Sequence, residues 1–255
     1  NYLNGQKLVS LHDKYPFMKS RYRIETHSVL LFVLAHFCLA FLLILLTQGI
    51  FAWVNHSLFS PMTFGETLRV ILGNLHFAAS GAAMSLLPFV LLMTYYLRRK
   101  HIHLCNILAR IAAAIGIVFL LATNVADIPY YQWTLRRTAG DIFSYLSQNF
   151  EGGLLIGQLL KDFWYYFILF DLLLALWVIA AYRIELVNSE SHKPKLWKEL
   201  CRIPLLLFLV TTAIRGGWIT QHKRLAPVDA SRYAIQGNQA LVINTPFSIL
   251  RTLDN

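Results

Sequence analysis

Long apolar runs separated by short polar breaks occupy most of the chain. Five stand out: Val29 to Val54, Ala82 to Leu97, Leu104 to Asn124, Phe163 to Tyr182 and Ile203 to Ile219. Each is close to the ~20 residues a helix needs to cross bilayer hydrocarbon. They predict an all-α polytopic membrane protein with five transmembrane helices and interfacial helices in the external loops. Lys and Arg crowd alternate breaks. They occur at the start (Lys7, Lys14, Lys19, Arg21, Arg23), after the second run (Arg98, Arg99, Lys100) and after the fourth (Arg183, Lys193, Lys195, Lys198, Arg202). The other two breaks offer only Arg69, and Arg136 with Arg137. Basic flanks stay cytoplasmic, so the N-terminus is expected inside, and an odd number of spans sends the C-terminus outside.

The shorter elements refine this layout. The first twenty-odd residues are basic and aromatic (Tyr2, Tyr15, Phe17, Tyr22) and suit either a segment on the inner membrane surface or a frayed tail. Thr63 and Glu66 have capping-box spacing, and Phe64, Leu68, Ile71 and Leu72 recur at helical intervals, which predicts a short interfacial helix leading into the second span. From Asp127 to Asp141 an external loop is expected, followed by Ile142, Phe143, Tyr145 and Leu146 and broken by Gly152 and Gly153. Thr245 before Pro246 marks a helix start, with Phe247, Leu250 and Leu253 on one face. The organisation expected is a transmembrane domain over residues 1–222 and an external linker with a short helix over residues 223–255. That helix has nothing in the sequence to pack against.

Composition agrees with a membrane protein: 56% of residues are hydrophobic and 14% charged, with a mean hydropathy of +0.51. The net charge of +10 sits in the cytoplasmic flanks, where it sets topology and meets anionic headgroups, and so it does not argue for nucleic acid. Cys38, Cys105 and Cys201 show no paired spacing and read as packing residues.

No P-loop, GxSxG, HExxH or dinucleotide fingerprint is present, so no catalytic residue or metal ligand is assigned within the chain. Ionisable residues inside the spans are the candidates, because charge at that depth is costly. At 1.5 Å per residue, Asp171 stands roughly 18 Å and Arg215 roughly 20 Å above the inner ends of their spans, whereas Arg110 reaches about 10 Å. The level match predicts a buried ion pair between Asp171 and Arg215. His36 and His76 read as packing histidines, and Asn55-His56-Ser57 fits a glycosylation sequon. Tyr130, Tyr131 and Trp133 suit either an aromatic belt or the wall of a lipid site.

Taken together, several segments resemble the membrane region of bacterial lipoteichoic acid synthase-like proteins, among the phosphoglycerol and phosphoethanolamine transferases of the alkaline phosphatase and sulfatase superfamily. They are the Tyr-Tyr and Arg-Arg-Thr of the Asp127 to Asp141 segment, Arg215-Gly-Gly, and Asn244-Thr-Pro-Phe-Ser-Ile-Leu. The resemblance implies a bacterial cytoplasmic membrane location and, beyond Asn255, an extracytoplasmic sulfatase-like domain with a Thr nucleophile and a divalent metal, typically manganese. It implies membrane phospholipid as the partner, with Arg136, Arg137 and Arg215 on the headgroup, Asp127 and Asp141 orienting them, and Tyr130, Tyr131 and Trp133 nearby. Leu75-His76-Phe77-Ala78 departs from the family, where an acidic residue is expected in the place of Ala78. A noncatalytic membrane anchor or sensor for an unrelated external domain is the competing expectation.

Overall fold

The computed structural model describes residues 24–26, 29–96, 102–141, 161–186, 196–216 and 224–253. Within these, six long helices and a short C-terminal one form a bundle. They are α1 (Val29–Val54), α2 (Phe64–Ser85), α3 (Leu87–Tyr96), α4 (Ile102–Thr134), α5 (Trp164–Arg183), α6 (Leu196–Arg215) and α7 (Thr245–Thr252). α4 is the central post, in contact with α1, α3, α5 and α7, while α2 carries α1, α6 and α7. Two three-residue strands, β1 (Ile24–Thr26) and β2 (Ile184–Leu186), pair in parallel with Ile24 opposite Ile184. β1 precedes α1 and β2 follows α5, so the start of α1 and the end of α5 meet at one end of the bundle, here the strand end.

Hydropathy alone divides the chain differently from the helices. Among the described residues three helical stretches are long and apolar enough to cross a membrane: Val29–Val54, Ile107–Thr134 and Trp164–Arg183. A fourth exists if α2 and α3, bent by 56° at their junction, count as one span. The expected second span, Ala82 to Leu97, therefore joins the last turn of α2 to α3, and the expected interfacial helix is the beginning of α2 itself. It starts as foreseen: Thr63 caps it, and Glu66 returns to the Thr63 N–H at 2.8 Å. The expected fifth span is carried by α6, 20 residues from Leu196 to Arg215, of which Pro204–Arg215 is the apolar stretch among the described residues, and Gly216 then turns out of the helix. Gly216 holds φ +83°, and a Cβ there would stand 2.8 Å from Leu225 Cβ, so the position needs glycine.

Two further expectations change. The segment from Asp127 is not a loop at first; α4 continues to Thr134, with Pro129 inside it. The left-handed Leu135 (φ +53°) then ends the helix, its N–H on Tyr131 O at 2.9 Å. The C-terminal segment is not a free linker either. Residues 241–249 are all buried, on the end of the bundle opposite the strands. The sequence could not show this partner, because its acceptor surface is assembled from α1, α2 and α4. The basic N-terminal residues, the segment from Ile142 to Gly153 and the loop carrying Lys193 and Lys195 lie outside the described residues.

Candidate functional site: a buried polar cluster at the capped end

The ends of α1 and α4 and the segment before α7 converge on one ion pair. Asp127, wholly buried, receives Arg137 Nη1 at 2.8 Å and Thr245 Oγ1 at 2.9 Å on one oxygen. Its other oxygen receives the Thr138 N–H at 2.9 Å and the Thr138 hydroxyl. Arg137 extends the cluster: Nε donates to Ala240 O at 2.9 Å, Nη2 to Gln48 Oε1, and Nη1 also to Thr245 Oγ1 at 3.4 Å. Gln48 in turn donates to Ile243 O at 2.8 Å. The guanidinium carbon lies 3.4 Å from the centroid of the Phe51 ring, whose negative face suits a cation. Burial pulls the Arg137 pKa below its ordinary value, and Asp127 opposes that by favouring the charged form.

Local backbone chemistry explains why two adjacent arginines part company. The left-handed Leu135 takes the chain out of the helix, so Arg136 and Arg137 no longer follow a helical face. Arg137 goes inward and Arg136 outward, where it pairs with Asp141 on the surface. That hydrogen bond raises the Arg136 pKa, the reverse of the shift at Arg137. Of the expected headgroup residues, Asp127, Arg137 and Tyr131 are therefore interior. Tyr131 packs edge-on against Phe51 at 5.0 Å and stacks on Phe59 at 5.6 Å. Trp133 is 79% exposed, while Tyr130 is half-buried. Arg137 cannot serve as a phosphate contact, because its donors are already committed to buried acceptors inside the protein.

Arg215 stands at the last turn of α6, half-buried, and does not pair with Asp171. α6 packs on α2, whereas α5 packs on α4 and α1 and leaves Asp171 exposed. Equal depth could not reveal this, since depth does not fix the face. The end of α6 is closed by neighbours instead: Ser80 Oγ donates to Ile214 O at 3.0 Å and Arg251 Nη2 to the same carbonyl at 2.9 Å. His76 Nε2 donates to Gly216 O at 2.7 Å, so its Nδ1 accepts from the Tyr233 hydroxyl at 3.0 Å.

Several cluster residues escaped sequence reasoning: Gln48, Asn124, Thr138, Asn238 and Asn244. Asn124 and Asp127 are three apart on α4 and so share a face, a signal available in the sequence. Asn124 Oδ1 accepts the Thr245 N–H at 3.3 Å, and Asn244 caps α7 by accepting the Phe247 N–H at 3.0 Å. Asn238 clamps Ser60 through both its N–H and its carbonyl, at 2.9 and 3.1 Å.

A cleft of about 170 Å³ lies beside this cap, lined by Glu66 and Arg69 of α2 and by Ser231, Arg232 and Tyr233 among others. Along the adjacent flank of α2 runs an exposed apolar row, Phe64, Leu68, Ile71, Leu72 and Leu75. Among the described residues no group of three His, Cys, Asp or Glu side chains is placed to hold a metal ion. Comparison with models of known families, with curated proteins and with solved structures finds no match to this chain.

Proposed function

We propose that this chain is the membrane region of a bacterial lipid-headgroup transferase of the phosphoglycerol or phosphoethanolamine type. It presents phospholipid to a sulfatase-like domain that follows it in the parent protein. The observation that carries the reading is the juxtaposition at the capped end of exposed cations (Arg69, Arg136, Arg232) with the exposed apolar row of α2. A phospholipid needs both: donors for its phosphate and an apolar path for its acyl chains. In this reading the cap formed by residues 224–253 fixes where the catalytic domain sits above the membrane. By that resemblance, the nucleophile and a divalent metal of the manganese kind belong to that domain.

The positive-inside rule places the strand end in the cytoplasm and the capped end outside, across a bacterial cytoplasmic membrane, with five crossings once α6 is counted. A second reading, a noncatalytic anchor or sensor, is favoured by the closure of the Arg137–Asp127 cluster, which has the character of a scaffold.

The test is headgroup turnover by the full-length parent protein with Arg69, Arg136 or Arg232 changed to Ala, each variant checked for folding. Loss of a charge-assisted contact to phosphate lowers turnover about tenfold or more. Wild-type turnover in all three variants supports the anchor instead.

A further inference from the structure

The cleft between the start of α2 and the turns before α7 carries both signs of charge. Arg69 and Arg232 line it together with Glu66. Glu66 is fixed from behind, since one carboxylate oxygen accepts the Thr63 N–H at 2.8 Å and the Thr63 hydroxyl at 2.9 Å. Arg232 is fixed as well: Nη2 donates to Asp229 Oδ1 at 3.0 Å, and Asp229 Oδ2 accepts the Ala226 N–H at 2.9 Å. A guanidinium has five N–H donors and a carboxylate two acceptor oxygens, so both groups keep capacity for a ligand after these contacts.

Position and size limit what the cleft takes. Asn238, another wall residue, holds Ser60 in the connection from α1 to α2. That connection follows directly on the end of α1, where Trp53 is 78% exposed. Exposed Trp side chains mark the headgroup level of a bilayer, so the cleft opens at headgroup depth. The exposed Ile235 adds an apolar wall there. A cavity of about 150 Å³ holds one benzene ring. The cleft, at about 170 Å³, therefore suits a small headgroup and is too small for a nucleotide.

We propose that this cleft binds a phosphate ester carrying a primary ammonium, with the phosphate between Arg69 and Arg232 and the ammonium on Glu66. The inference rests on the headgroup reading above and narrows it, because a purely cationic site would accept any anionic headgroup alike. Glu66 changes the choice: it repels a bare phosphate and attracts a cation attached to one. A glycerol headgroup offers Glu66 hydroxyl donors without the charge, whereas an ammonium adds an ion pair to the hydrogen bond. The same chemistry exists as an aminophospholipid in the membrane and as a free aminoalkyl phosphate in water.

The experiment is native mass spectrometry of the 255-residue chain in detergent, titrated with phosphatidylethanolamine, phosphatidylglycerol or soluble phosphoethanolamine. It reads binding without turnover, so its failure is distinct from a failure of the transferase reading. Wild type is expected to bind phosphatidylethanolamine about tenfold more tightly than phosphatidylglycerol. Glu66→Gln keeps the capping contact to Thr63 and is expected to lose that preference. Arg69→Ala and Arg232→Ala are each expected to weaken both lipids about tenfold. Displacement of the lipid by soluble phosphoethanolamine upholds the site and admits the free ester; lipid that stays bound upholds it as a membrane-lipid site. Equal binding of the two lipids by wild type overturns the proposal. So does a preference that survives Glu66→Gln, or undiminished binding by folded Arg69→Ala and Arg232→Ala chains. Should an arginine variant not fold, Glu66→Gln still decides.

Discussion

Two carboxylates, Asp127 on α4 and Asp171 on α5, stand in helices of similar apolar make-up and meet opposite fates. Asp127 is closed in by Arg137, Thr138 and Thr245 and joins three parts of the chain. Asp171 is exposed among apolar side chains and makes no hydrogen bond or ion pair among the described residues. The difference teaches where the molecule finishes its own structure and where it leaves surface for something else. At the capped end Asp127, Arg137, Gln48 and Thr245 are recruited to hold the C-terminal segment. Along α5, Asp171 is left exposed.

The largest effect in this comparison should come from Asp127→Ala. It strands a buried guanidinium, and breaking such a pair costs about 3–5 kcal/mol. Thermal denaturation in detergent should register the loss, and hydrogen exchange should show residues 241–249 losing protection before the helices do. A variant as stable as wild type would mean that the cap is held by its apolar contacts alone.

Next in size is Gly73→Ala. A Cβ at that position would stand 2.6 Å from Tyr233 Cγ, 2.8 Å from Tyr233 Cβ and 2.9 Å from Val242 Cγ1. Prying the cap from α2 in this way should cost about 1–3 kcal/mol in the same melts. Arg136→Ala should cost about 0–1 kcal/mol, since its pair with Asp141 is exposed and screened. That value against the loss at Asp127 measures the contrast between the two neighbouring arginine pairs directly. The smallest change, with the opposite sign, is expected for Gly49→Ala: nothing lies within 4 Å of the added Cβ, and a helix interior favours Ala by about 0.5–1 kcal/mol. Destabilisation there would point to a neighbour on that face of α1.

Much of the helical framework was legible because apolar runs and caps are local signals. The span Val29–Val54, the capping box at Thr63 and Glu66 and the start of α7 at Thr245 are all written within a few residues. What escaped depends on distance in sequence. Nothing near Arg137 announces Gln48 or Thr245, the partners that turn a candidate phosphate ligand into an interior brace. The pairing of Asp171 with Arg215 failed because depth along a helix is readable from sequence while the face presented is set by which helices become neighbours. The apparent loop after Asp127 failed for a simpler reason: Pro129 and the aromatic residues resemble a break, yet α4 carries them within a continuous helix.

The docking of the C-terminal segment through Asp127 and Arg137 is best tested by a double-mutant cycle with Asp127→Asn, Arg137→Gln and the double variant, read as unfolding free energy in detergent. Each single change leaves its partner buried without its counter-charge, so the two losses should sum to more than the loss in the double variant, by about 1–3 kcal/mol. Additive losses would contradict a coupled pair and leave the C-terminal segment held by packing alone.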